Sequence, residues 1–286
     1  MNYGRTSLRR RAKQLDARGT RIRHKIGVIL GKLLLIGIIV GGCATVSFGV
    51  GAFKGILASA PDISEVDVIP TGYSTKVLAA DGSETAKLVA AGSNRQYVTI
   101  DQIPENLQHA VVAIEDERFY DHNGIDLKGI VRALVADVRT RDFSQGASTL
   151  TQQLIKNNVL SEQWANENDS NISKMEKMER QVQRKIQEQY LAIELEKKVN
   201  DKNWILENYL NSINLGSNTL GVQAAAQRYF GKDVSKLTLS ECAVIAGITK
   251  NPAGYNPILH PKENAKRRRN VLDAMKKQGY ISQKQY

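Results

Sequence analysis

The chain has 286 residues, a formal net charge of +11, 42% hydrophobic and 6% aromatic residues, and two cysteines. The charge is concentrated: residues 1–53 hold ten Lys or Arg against one acid, Asp16, a balance of +9 that leaves +2 for residues 54–286. That distribution argues against a nucleic-acid-binding body, which would carry a basic stripe on the folded domain, and Cys43 and Cys242 alone supply neither a disulfide framework nor a zinc spacing.

The basic arm, residues 1–25, leads into an apolar run over 26–53 whose only charge is Lys32. Leu33 to Phe53 gives 21 uncharged residues, close to the ~20 that cross a bilayer as a helix. Lys32 can snorkel to the interface, and Gly37, Gly41, Gly42, Gly49 and Gly51 are tolerated in membrane helices. Positive residues before the span predict a cytoplasmic N-terminus and an extracytoplasmic remainder at the cell membrane. A cleaved signal peptide is the competing reading, but its apolar region is shorter and its basic region rarely so long.

Residues 54–103 read as an extracytoplasmic connector, with short strands expected at 76–80, 84–89 and 95–100 and a hairpin-type turn at Asp81-Gly82. From Pro104, which suits a first helical position, the pattern predicts helices over 104–118, 127–140, 148–159, 174–198, 201–215, 221–230, 240–248 and 261–278. Ser240 is the expected cap of the seventh. The polar stretch 161–173 reads as a mobile loop.

Five runs carry candidate chemistry. The first is Glu115-Asp116, then Phe119, His122 and Gly124, where two carboxylates follow an amphipathic ramp of Leu107, Ala110, Val111 and Ile114. A carboxylate at the end of an apolar face is costly unless paired, although solvated acids at a helix end account for the run taken alone. The second, Gly146 to Asn157, gathers Ser148, Thr149, Gln152, Gln153 and Lys156 at a helix start, where free backbone N–H groups favour an anion. An ordinary N-cap accounts for one of those hydroxyls and no more.

In the third, Arg184, Lys185 and Glu188 share one helix face, which Leu191, Ala192 and Leu195 continue. A surface ion pair is the plainer reading, but the apolar continuation points the group at a core or a cleft. The fourth (Tyr209 to Lys232) and fifth (Leu239 to Pro257) read mainly as packing and loops, with Asn211 and Asn214 as possible contacts. The four histidines, His24, His109, His122 and His260, form no H-E-x-x-H pair, so no dedicated metal site is expected. Two carboxylates beside cations suit transfer from a pyrophosphate-activated donor, one acid deprotonating an acceptor hydroxyl and the cations meeting the departing oxyanion.

These runs, in this order, resemble the peptidoglycan glycosyltransferase domain (glycosyltransferase family 51) of class A penicillin-binding proteins and of monofunctional transglycosylases. The matches are E-D-x-x-F-x-x-H-x-G from Glu115 to Gly124, G-x-S-T-x-T-Q-Q from Gly146 to Gln153, and R-K-x-x-E from Arg184 to Glu188. Tyr209 to Lys232 and Leu239 to Pro257 match two further family runs. The resemblance implies a mainly α-helical, lysozyme-like two-lobed fold over residues 104–280, behind one N-terminal transmembrane helix and a small β-containing connector.

It implies polymerisation of lipid II into β-1,4-linked glycan with inversion, releasing undecaprenyl pyrophosphate. Glu115 then resembles the general base, and Glu188, with Arg184 and Lys185, the group that handles pyrophosphate. Asp116, Phe119, His122, Ser148, Thr149, Gln153 and Lys156 resemble substrate-binding or site-shaping positions. A divalent cation, Mg2+ or Mn2+, held through Glu188 is the one cofactor left open. The implied partners are lipid II, the growing glycan strand and the membrane, with other cell-wall synthesis proteins compatible and nucleic acid excluded.

A lysozyme-like hydrolase or lytic transglycosylase is the alternative; it needs a general acid and no pyrophosphate site. The stretch from Trp164 to Glu179 reads as an insertion relative to the family. No S-x-x-K or K-T-G run occurs. Residues 281–286 read as the start of a linker, so the chain is expected to be a fragment of a longer, multifunctional enzyme.

Overall fold

The computed structural model describes residues 4–15, 18–64, 68–88, 94–140, 146–161, 163–164 and 172–286. The chain divides into two compact units, Met1–Ser59 and Ala60–Tyr286. The first consists of α1 (Arg5–Leu15) and α2 (Arg18–Ala58). Residues 22–58 of α2 form the one helix among the described residues long and apolar enough to cross a membrane. Leu30, Leu34, Ile38 and Phe48 are all exposed along it.

The second unit begins with a hairpin. Strands β1 (Thr75–Leu78) and β2 (Glu84–Leu88) pair antiparallel, Thr75 opposite Leu88, with an irregularity after Val77. Asp81 accepts the Ser83 N–H at 2.9 Å and shapes the turn. The strand expected at 95–100 does not form. Val98 donates to Asn211 Oδ1 at 3.0 Å and accepts from Asn211 Nδ2 at 2.8 Å, so a side chain takes both ladder groups. Ile100 N donates to Glu207 Oε2 at 2.6 Å, and a 3-10 turn follows over Ile100–Gln102.

Among the described residues eight α-helices follow: α3 (Glu105–Glu115), α4 (Leu127–Thr140), α5 (Leu150–Asn158), α6 (Lys174–Val199), α7 (Lys202–Ser212), α8 (Val222–Phe230), α9 (Leu239–Ile248) and α10 (Pro261–Lys277), with a further 3-10 turn over Val234–Lys236. Side-chain caps set the starts of four of them, α5, α6, α7 and α9. Thr149, Ser173, Asp201 and Thr238 each accept a first-turn N–H. Thr238, rather than the expected Ser240, caps α9, because Glu241 three residues on completes a capping box with it. Most of the polar stretch 161–173 lies outside the described residues.

Two helical groups flank the site. The apolar face of α3 (Leu107, Ala110, Val111) is buried where α3 packs against α9 and α10. Helix α9 is buried from Cys242 to Ile248, which suits an element apolar on all sides. On the other side α5 packs against both α6 and α7. The core extends to Val68, Val98 and Ile103 before α3 and to Ile281 after α10, so the expected linker start contributes a side chain that is 4% exposed.

Candidate active site

Helix α3 ends at Glu115, earlier than the expected Arg118, because Asp116 leaves helical geometry (φ −152°, ψ 73°) to make contacts of its own. The Glu115 carboxylate is thereby presented from the helix end and is 15% exposed. Its Oε1 accepts the Thr249 hydroxyl at 2.6 Å, and Arg267 Nη2 stands 3.7 Å from the same oxygen. Its Oε2 accepts Gln153 Nε2 at 3.3 Å. Gln153 is held in turn by the Tyr209 hydroxyl, which donates to its Oε1 at 3.0 Å. Burial, and then the charges of Glu115 and Asp116, hold the Tyr209 phenol well above its ordinary range, so it remains a donor.

Asp116, Phe119, His122 and Thr149 do not line the cleft. Asp116 is 5% exposed; it accepts Leu150 N at 2.9 Å and His122 Nε2 at 3.0 Å. The helix start read as an anion site does hold an anion, but that anion is the protein's own Asp116. Thr149 is occupied as well, donating to Gly124 O at 2.7 Å while capping α5. Phe119 is fully buried with Lys202 Nζ 4.6 Å from its ring centre. Lys202 also reaches His122 O and Glu196 Oε1, and Thr151 donates to the same Glu196 oxygen at 2.6 Å. These contacts hold Asp116, Phe119, His122 and Thr149 behind the cleft wall that carries Glu115.

The opposite wall comes from α5 and α6. Glu188 is 1% exposed. Arg184 Nη1 donates to its Oε1, and Lys185 Nζ to its Oε2 at 3.0 Å. Lys185 also donates to Ser148 Oγ at 2.5 Å, tying α6 to the segment before α5. The buried Glu188 carboxylate thus carries a cation on each oxygen, and removing either partner would leave a buried charge uncompensated.

Between the walls lies a cavity of about 850 Å3, lined by Glu115, Ser148, Gln153 and Lys156 and by Arg184, Lys185 and Glu188, among others. Sequence reasoning missed three polar residues of this lining: Thr249, Lys250 and Arg267. Thr249 and Lys250 lie inside the fifth run, read as packing and loop, and Arg267 sits in a basic helix that looks solvated. With them the cavity holds five cationic side chains (Lys156, Arg184, Lys185, Lys250, Arg267) against two carboxylates. Both Glu188 oxygens, through which Mg2+ or Mn2+ was left open above, are engaged by cations, Arg184 on Oε1 and Lys185 on Oε2. Among the described residues no group of three or more His, Cys, Asp or Glu could hold a metal ion.

The Transglycosylase family pattern matches residues 81–276. The chain belongs to the transglycosylase family. Among its relatives, penicillin-binding protein 1A/1B of Bacillus subtilis (strain 168) is 39% identical over 255 residues, which cover 89% of this chain and 25% of that protein. Penicillin-binding protein 1A of Escherichia coli (strain K12) is 41% identical over 237 residues, 82% of this chain and 26% of the relative. Penicillin-binding protein 1A of Aquifex aeolicus (strain VF5) is 46% identical over 192 residues, 67% and 24% respectively. The transglycosylase chain thus spans about a quarter of the length of these relatives.

Proposed function

We propose that this transglycosylase is a peptidoglycan glycosyltransferase that polymerises lipid II into β-1,4-linked glycan. The observation that carries the reading is the cavity itself, in which a lightly exposed Glu115 stands across from a cationic wall. Glu115 takes the proton of the acceptor's 4-hydroxyl. The acceptor oxygen bonds to the donor carbon from the face opposite the leaving group, and the C–O bond to undecaprenyl pyrophosphate breaks. Its electron pair leaves with the pyrophosphate, whose charge Arg184, Lys185 and Lys156 offset. Glu188 keeps two of those cations in place. Inversion follows from single displacement.

The apolar span of α2 serves as an anchor with the N-terminus cytoplasmic and the catalytic unit extracytoplasmic. Leu127, Val131 and Val135, spaced along α4, and Met175, Met178 and Val182 on α6 are exposed apolar side chains suited to a lipid surface. Holding enzyme and lipid-linked substrate in one plane raises their effective concentration. Lipid II, the growing strand and the membrane are the proposed partners. The hydrolase reading is weaker, because cleaving a glycosidic bond gives the cationic wall no diphosphate to meet.

Incubating the purified chain with labelled lipid II tests this. Polymer that disappears in Glu115→Gln is expected; cleavage of preformed glycan without polymer formation would overturn the assignment.

A further inference from the structure

We infer that Thr249 is a positioning residue for Glu115: its hydroxyl pins Oε1 so that Oε2 is the oxygen that takes the acceptor's proton. The inference rests on the reading of Glu115 as the base. Thr249 closes α9 at its C-cap, and its Oγ1 lies 2.6 Å from Glu115 Oε1 and 2.8 Å from Ala246 O. A hydroxyl has one proton to give, so these two acceptors compete for it. While Glu115 is ionised the carboxylate is the stronger acceptor and holds the proton of Thr249. Once Glu115 has been protonated on Oε2, Oε1 is a weaker carbonyl-type acceptor and the hydroxyl can turn to Ala246 O. Both states of the base are therefore satisfied without moving a helix.

The other neighbours make Oε2 the reactive oxygen. Oε1 carries Thr249 at 2.6 Å and Arg267 at 3.7 Å, whereas Oε2 carries only the longer 3.3 Å contact from Gln153. The remaining charged groups on the cavity lining, Lys250 beside Thr249 and Lys156, Arg184, Lys185 and Glu188 on the facing wall, have no hydrogen bond to either oxygen. Thr249 is thus the hydroxyl, among the described residues, that fixes the orientation of the carboxylate from the α9 side.

The test is lipid II polymerisation by the full chain carrying Thr249→Val, Thr249→Ser or Glu115→Gln, with lipid II binding and thermal unfolding measured alongside. Thr249→Val keeps the volume and removes the hydroxyl. We expect its kcat to fall about tenfold while KM stays within about twofold, the pattern of an interaction that matters in the transition state. Thr249→Ser, which keeps the hydroxyl, restores most of the rate. A Thr249→Val enzyme with wild-type kcat beside an inactive Glu115→Gln overturns the inference and leaves the base intact. Equal losses in the Val and Ser variants, with lowered unfolding temperatures, assign Thr249 to packing and also overturn it. Polymerisation by Glu115→Gln removes the assigned base and the inference with it.

Discussion

The Asp116 carboxylate accepts the backbone N–H of Leu150 at 2.9 Å, so the residue after the proposed base fastens the end of α3 to the first turn of α5. One side chain thereby joins the two helical groups that form the walls of the cleft. It supplies a negative charge where the α5 dipole is positive, and it takes His122 Nε2 at 3.0 Å. Asp116→Asn keeps the shape, removes the charge and offers an N–H2 where an acceptor is needed. It should cost about 2 kcal/mol of stability in denaturant unfolding. Because Asp116 is behind the wall, lipid II should bind the variant nearly as well as the parent while kcat falls. A large loss of binding with unchanged stability would return Asp116 to the substrate.

How much of this was legible in the sequence differs from residue to residue. The helices were, because Leu107, Ala110 and Val111 recur at helical spacing and become the buried face of α3. Arg184, Lys185 and Glu188 were too: one helix face was expected, and one ion-paired cluster results. What spacing does not encode is which way a polar side chain turns at a helix end. Asp116 and Thr149 read as site residues but turn inward to satisfy backbone groups of other segments. Thr249 and Arg267 reach Glu115 from more than 130 residues away in the chain. Contacts of that separation depend on how α9 and α10 pack on α3, which no local pattern records. The missing strand at 95–100 has the same origin, since its pairing groups are taken by Asn211 far downstream.

Glu188 tests whether the cationic wall depends on its buried carboxylate. Glu188→Gln leaves Arg184 and Lys185 close together without the charge between them. Lys185 is 41% exposed, so water screens part of the loss, and about 2 kcal/mol of destabilisation is expected rather than the full cost of a buried pair. Polymerisation should fall by about 100-fold or more, because the cations no longer hold their place for the leaving group. A variant that polymerises at the parental rate would show that the cluster only stabilises α6.

Gly124 is a position where a single methyl should be decisive. Its φ is +85°, and a Cβ there would stand 2.6 Å from the backbone carbon and oxygen of Ala192 in α6. Neither neighbour can rotate away, since both are helix backbone. Gly124 O also receives Thr149 Oγ1, so displacing it disturbs the cap of α5. Gly124→Ala should lower stability by about 3 kcal/mol or more from strain and overlap together. Thermal unfolding reads this directly. A midpoint within about a degree of the parent would mean that α6 is free to shift at this point.

His109 gives the domain a pH dependence away from the cleft. Its ring stacks on Tyr280 with centroids 4.3 Å apart and planes 18° from parallel. Burial holds its pKa below the ordinary 6.5, and Glu105 only partly opposes that. Well above pH 6.5 neither folded nor unfolded chain carries the proton, and the contribution of His109 to stability is complete. As the pH falls below 6.5 the unfolded chain takes up a proton that the folded chain still refuses, so stability declines until the pH passes the lower folded value. His109→Gln removes the titrating ring, and the variant should lose less stability than the parent between pH 7 and the onset of carboxylate titration near pH 5. Denaturant midpoints measured at several pH values check this. Parallel curves for parent and variant would show that the His109 proton is bound equally well in both states.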